Sequence, residues 1–353
     1  MTHDPAYDPK PVESIAHNTR YLTALLAFLL AGLFLFSLMV GRLDIRLSEA
    51  MTIVGSSLFG TPVPEALLSK AQVFTLIRFP RGLLAVFVGM GLSVSGAVYQ
   101  GLFRNPLVSP DILGVSAGCT FGAALGLILP GNSFLLVRIL SFVFGLAAVC
   151  LAVGIARMVA VRPILVLILA GLVATSVFNA LLMVLKYISD PYSDLPAIVF
   201  WIMGSLSRVE WNDLYIIMPT IGIGLILIHM CRYRLNVLSL GDLQARSLGI
   251  NPTLYRIIFI TISSLMVAVT VSTCGQVCWI GLVIPHIART VVGPNHSRMI
   301  PITMLIGGIF LLAADMLARS ITSAELPVSI ITALAGAPLF VYLLYKNRRS
   351  GWI

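Results

Sequence analysis

Residues 21–40 read YLTALLAFLLAGLFLFSLMV, twenty positions without a charge. Crossing a hydrocarbon core as a helix takes about 20 apolar residues, so this stretch predicts a membrane span. No small-residue cleavage site follows it, and it exceeds the ~7–15 residues usual for the apolar region of a signal peptide. A retained first span is expected. Residues 1–20 before it (MTHDPAYDPKPVESIAHNTR) are polar and proline-bearing and predict a short flexible tail.

The pattern repeats along the chain. Apolar runs follow at Leu83–Phe103, Ile112–Leu129, Phe134–Met158, Ile164–Tyr187, Leu214–Cys231, Leu254–Thr273, Trp279–Val292, Ile302–Ser320 and Val328–Tyr345. With the first they predict an all-α polytopic membrane protein of about ten transmembrane helices. The run from Trp279 is short and contains Pro285, as a broken or re-entrant segment would. Such backbone is tolerated only where protein or a water-filled cavity surrounds it. Composition agrees: 10% of 353 residues are charged and 58% hydrophobic, against about 25% and 45–50% in soluble domains. A soluble fold of this length could not hide so much apolar surface.

Orientation follows from the basic residues. With the N-terminus inside, an even number of spans puts the C-terminus (KNRRSGWI) inside as well. Inner segments then hold 14 of the 23 lysines and arginines, a modest bias of the expected sign. The net charge of +9 forms no basic stripe interleaved with aromatics, which argues against nucleic acid. Cys274 and Cys278 match neither a redox nor a zinc spacing, and all five cysteines read as small apolar packing residues.

Two connections are longer than needed. The outer segment Arg42–Phe79 contains LSEAMTIVGSSLFG, which predicts a helix lying on the surface. The inner segment Arg232–Asn251 contains LSLGDLQARSLGINP. There Ser239 and Asp242 can cap a short helix and Gly249 with Pro252 can end it, giving either a docking element for a soluble partner or a tidy loop. Gly114, Gly118, Gly122 and Gly126 recur every four residues, a stripe that lets a neighbouring helix approach closely.

Charges at span ends are informative, because burial in hydrocarbon costs at least roughly 2.5–3.5 kcal/mol each. Asp315 and Arg319 share a helix face and can pair. Arg78 and Arg81 flank Pro80 and are expected to project together at the outer mouth, where snorkelling alone would explain them. Catalytic patterns are absent. No lysine follows a glycine, so no GxxxxGK[ST] phosphate loop exists, and there is no HExxH, no GxSxG and no carboxylate pair within a span. The chain is not expected to be an enzyme, to ligate a metal or to carry a cofactor.

Five ordered stretches resemble the permeases of ABC importers for iron-siderophores, haem and cobalamin, the FecCD-type or type II importers. They are RFPRGLLAVFVGMGLSVSGAVYQGLFRNPLVSPDILGVSAG, FWIMGSLSRVEW, LGDLQARSLGI, GLVIPHIARTVVGPNH and ADMLARSITSAELPVSIITALAGAPLF, and the likeness runs from Arg78 to Lys346. The resemblance implies a transmembrane domain over 21–346, with cytoplasmic tails at 1–20 and 347–353 in a bacterial inner (cytoplasmic) membrane. It implies a homodimer, two cytoplasmic ABC ATPase subunits that bind the ATP and magnesium, an external substrate-binding protein and a metal-chelate substrate moved by alternating access, with membrane lipid around it.

On residues, it assigns Arg78, Arg81 and Arg319 to binding-protein docking and Asn105, Pro106 and Leu107 to a cytoplasmic gate. A coupling loop at about 236–250, with Gly241, Asp242, Ala245, Leu248 and Gly249, would seat in the ATPase. Arg162-Pro163-Ile164-Leu165 departs from the small hydroxyl residues relatives can present to a second gate, and Gln276, Cys278 and Trp279 depart in the connection after the seventh run. The alternatives are a small oxyanion such as molybdate on the same architecture, an ion-gradient transporter, which needs a carboxylate or cation site near the midplane, and a membrane enzyme.

Overall fold

A chain without water around it must close its backbone hydrogen bonds inside each segment. The computed structural model describes residues 12–347 except 42, 132, 160–162 and 323, and the described residues form helices and no strand. The helices are α1 Val12–Met39, α2 Leu47–Phe59, α3 Leu68–Gln72, α4 Phe79–Phe103, α5 Val115–Ile128, α6 Phe134–Met158 and α7 Pro163–Ile188. They continue with α8 Asp194–Ile202, α9 Trp211–Leu240, α10 Asp242–Ser247, α11 Pro252–Cys274, α12 Ile280–Val292, α13 His296–Ser320 and α14 Val328–Asn347. A wider π-type turn, Val73–Arg78, joins α3 to α4.

Eight of the described helical stretches are long and apolar enough to cross a membrane, while α5 and α12 are apolar but shorter. These ten fall on the ten expected runs, with corrections at several ends. Helix α1 begins at Val12, so residues 12–20 of the expected tail are helical. Helix α9 runs 30 residues to Leu240, taking in Arg232–Leu240, which the sequence suggested were loop. Residues 1–11 and 348–353, and Arg162 of the second-gate segment, lie outside the described residues.

Helix α4 is the centre of the bundle, with 21 of its 25 residues buried among α1, α9, α11, α12 and α13. Its Arg81, Ser93, Ser95 and Gln100 side chains would be costly against lipid, and enclosure by protein keeps them from it. Glycines bring its neighbours to backbone contact: a Cβ on Gly89 would lie 2.2 Å from the Gly307 carbonyl, and one on Gly96 1.8 Å from the Gly281 carbonyl. The α5 stripe behaves as expected at three of its four positions. Cβ atoms on Gly118, Gly122 and Gly126 would lie 2.2–2.7 Å from the α6 backbone. Gly114 instead precedes the helix, at φ 80° beside Thr175, where a left-handed backbone favours glycine.

The surface helix α2 forms where expected. Glu49 accepts from the Arg46 amide at 2.9 Å and from Lys70 Nζ at 2.7 Å, tying α2 to α3. The Lys70 ammonium holds the Glu49 carboxyl below the usual carboxylate range.

Candidate functional site

At the end expected outside, the three arginines do not project: 4%, 5% and 6% of Arg78, Arg81 and Arg319 are exposed. This corrects the sequence expectation for the RFPR pair. Arg78 turns to α1, where Nη1 donates to the Leu38 and Met39 carbonyls at 2.9 and 2.8 Å and Nη2 to that of Leu43. The last carbonyls of a helix have no partner of their own, and Arg78 supplies one. Arg81 turns to α13: Nε donates to Asp315 at 2.8 Å and Nη1 to Glu325 at 3.0 Å. Arg319 reaches Asp315 at 3.7 Å, the expected i,i+4 pair, and donates to the Ser37 carbonyl at 2.6 Å. A second cluster, unmarked in the sequence, pairs Arg138 with Asp213 through both carboxylate oxygens, one at 2.9 Å, with Arg208 over the Phe134 ring.

Two breaks in helix meet near mid-depth. One is the stretch 104–114 after α4; the other is Gly275–Trp279, ahead of α12, which itself runs unbroken through Pro285 instead of breaking there. They touch where Pro110 sits against Gly281, alongside Leu92 in the middle of α4. Trp279, with left-handed φ of 70°, packs on Gly336 midway along α14. Between the breaks lie two adjoining cavities of about 190 Å³ each, sharing Asp111, Ser116, Val277 and Cys278. Ser109, Thr175, Asn179 and Gln276 add polar groups to the walls. Ser116 donates to Asp111, and Gln276 to Thr120 at 3.2 Å. Sequence reading misses Asp111 as a membrane carboxylate, because it follows the polar corner NPLVSP and reads as loop.

At the opposite end, α4 closes with Arg104 in a left-handed conformation, φ 50°. The Asn105–Leu107 corner follows at once: Asn105 Oδ1 accepts from the Leu107 amide at 2.9 Å, and Leu107 is exposed. Helix α10 is the expected short helix, with different caps. Ser239 lies inside α9 and donates to the Leu235 carbonyl at 2.9 Å. Asp242 accepts not from backbone but from Arg104 at 3.1 Å and Arg256 at 2.8 Å. Gly241 enters at φ 130°, Ala245 is fully buried, and Gly249 leaves at φ 74°. Asn251, not Ser239, accepts from an end amide, that of Leu254, and starts α11 with Pro252 behind it. Leu240, Leu243 and Leu248 are left 58–79% exposed around this helix, an apolar rim at a polar end.

The pattern of the FecCD transport family matches residues 28–346. The chain belongs to the FecCD transport family. Among its relatives, the molybdate import system permease MolB of Haemophilus influenzae is 38% identical over 92% of this chain and 96% of its own length. The hemin transport system permease HmuU of Yersinia pestis is 34% identical over 92% of this chain and 98% of its own. A solved inward-facing transporter, described as metal-chelate type ABC, superposes with TM-score 0.83 at 36% identity, covering 93% of this chain and 99% of its own. In this FecCD chain the LGDLQARSLGI stretch is the α9–α10–α11 junction, and the AR of ADMLAR is the buried Arg319.

Proposed function

We propose that the chain is the transmembrane permease of a binding-protein-dependent ABC importer in a bacterial inner membrane. Two copies would enclose the pathway, two cytoplasmic ATPases would drive it, and a metal chelate would pass inward by alternating access. The observation that carries this reading is helix α10: its buried Ala245 and the Arg256–Asp242 pair fix its position, while Leu243 and Leu248 are offered to a partner. Exposed leucines at a membrane-protein end call for a cover of protein, and the family match favours an ATPase as that cover.

Leu243→Glu is expected to weaken association of the ATPase about 100-fold or more, as loss of a central apolar anchor does. Co-purification and ATP hydrolysis with the permease in nanodiscs measure it. Undiminished association would remove α10 as the docking element.

An oxyanion cargo is the second reading, supported by the MolB likeness; the mid-depth cavities, walled by Asp111 and by no basic side chain, do not themselves favour an anion. Uptake of labelled molybdate against ferric chelates and haem, in vesicles carrying the whole complex, separates the two. Asp111 supplies the midplane carboxylate that an ion-gradient transporter needs, but the family match weighs against that mechanism. With Arg78, Arg81 and Arg319 all buried, binding-protein docking would fall to exposed outer groups such as Arg208.

A further inference from the structure

The inner end contains a connection that neither packing nor capping requires. Asp242, the first residue of α10, shares one carboxylate oxygen between Arg256 of α11 at 2.8 Å and Arg104 at 3.1 Å. Arg256 alone would hold α10 to the helix that follows it. Arg104 belongs to another part of the bundle, 138 residues away in sequence. It ends α4, and its backbone continues directly into Asn105 and then into Ser109, Pro110 and Asp111, which wall the mid-depth cavities. A second, weaker contact runs in parallel, from Ser239 at the end of α9 to the Gly101 carbonyl at 3.4 Å.

We propose that the Arg104–Asp242 ion pair transmits movement of α10 to the re-entrant segment 105–114, and so to the wall of the mid-depth cavity. This rests on the ABC-permease reading given above. The pair is one-third exposed on each side, 38% and 33%. In that state it contributes little to folding. A partner seated over Leu243 and Leu248 would shield it from water, and a shielded ion pair is stronger. The link therefore tightens only when the driving subunit is engaged. On the other side, backbone bonds from the Asn105 amide to the Gln100 carbonyl at 3.2 Å and from the Val108 amide to the Asn105 carbonyl at 3.3 Å, with the Asn105 side chain on the Leu107 amide, hold the turn between Arg104 and Ser109. Arg104 is a positioning residue here and touches no substrate.

Cys278 lines both cavities and provides the readout. In a Cys150→Ser, Cys231→Ser background, the remaining cysteines besides Cys278 are the buried Cys119 and Cys274. The permease–ATPase complex in nanodiscs would be labelled with a small methanethiosulfonate reagent, without nucleotide and with ATP plus vanadate. With Arg104 intact, nucleotide is expected to change the Cys278 labelling rate about 5-fold or more, the lower bound of ordinary allosteric coupling. In Arg104→Gln the ATPase should still associate and hydrolyse ATP, but the rate should no longer respond; Arg104→Lys should restore part of the response. A merely structural arginine would alter yield or stability and leave the nucleotide response in place. An equal response in Arg104→Gln and the parent overturns the link while leaving the importer reading intact. No nucleotide response in the parent overturns the importer reading itself.

Discussion

Arg81→Gln should cost about 3–5 kcal/mol of stability, because it leaves Asp315 buried without its main partner. Asp315 is 0% exposed and Arg319 approaches it only to 3.7 Å, too far to stand in for the Arg81 guanidinium at 2.8 Å. Glu325 is deprived of its ion pair in the same step. Arg81→Glu should be worse, placing three carboxyl groups in one small volume. Thermal unfolding of purified protein, followed by size-exclusion monodispersity, reads this directly. Arg81→Met combined with Asp315→Leu and Arg319→Met, which leaves no charge of the trio buried, should recover much of the stability, since apolar residues can replace buried ionic groups at little cost. A stable Arg81→Gln protein with impaired binding-protein association would instead reinstate the docking role that the sequence suggested.

Gly96→Val is expected to destabilise at or beyond the roughly 3 kcal/mol upper range of overpacking. The first added carbon would stand 1.8 Å from the Gly281 carbonyl, and a backbone atom cannot step aside as a side-chain tip can. Either α12 retreats from α4 or the two breaks near mid-depth separate. Gly154→Ala on α6, with nothing within 4 Å, is the matched control. It should be neutral or stabilising by up to about 1 kcal/mol, the usual gain of alanine over glycine in a helix. Equal melting temperatures for the two variants would mean that α4 and α12 are not in backbone contact.

The spans are legible because hydropathy measures what a bilayer demands of each stretch. It does not measure depth. Residues 104–114 re-enter the bundle with the composition of a loop, so the cavity-lining place of Asp111 goes unread and α5 reads as longer than its 14 residues. Charge misleads at α9, where Arg232 and Arg234 mark the edge of the apolar run but not the end of the helix. Periodicity serves well at Gly118, Gly122 and Gly126 and fails at Gly114, whose glycine is needed for its torsion and not its face. Three-residue spacing aims Arg78 and Arg81 in one direction, which is the ground for expecting them to project together; the docking role rests on the family resemblance alone. Their actual partners, on α1 and α13, lie out of reach of any local pattern.

The enclosure of α4 has a consequence for how the protein is made. Arg81 precedes Asp315 by 234 positions, which at roughly 5–20 residues per second is about 12–47 s of translation. For that interval the guanidinium lacks its carboxylates, and Ser93 lacks the Thr303 carbonyl it reaches across the bundle. The helix at the middle of the finished bundle is thus among the first synthesised and among the last to be completed. Nascent chains stalled between α4 and α13 should be the ones that membrane quality control recognises.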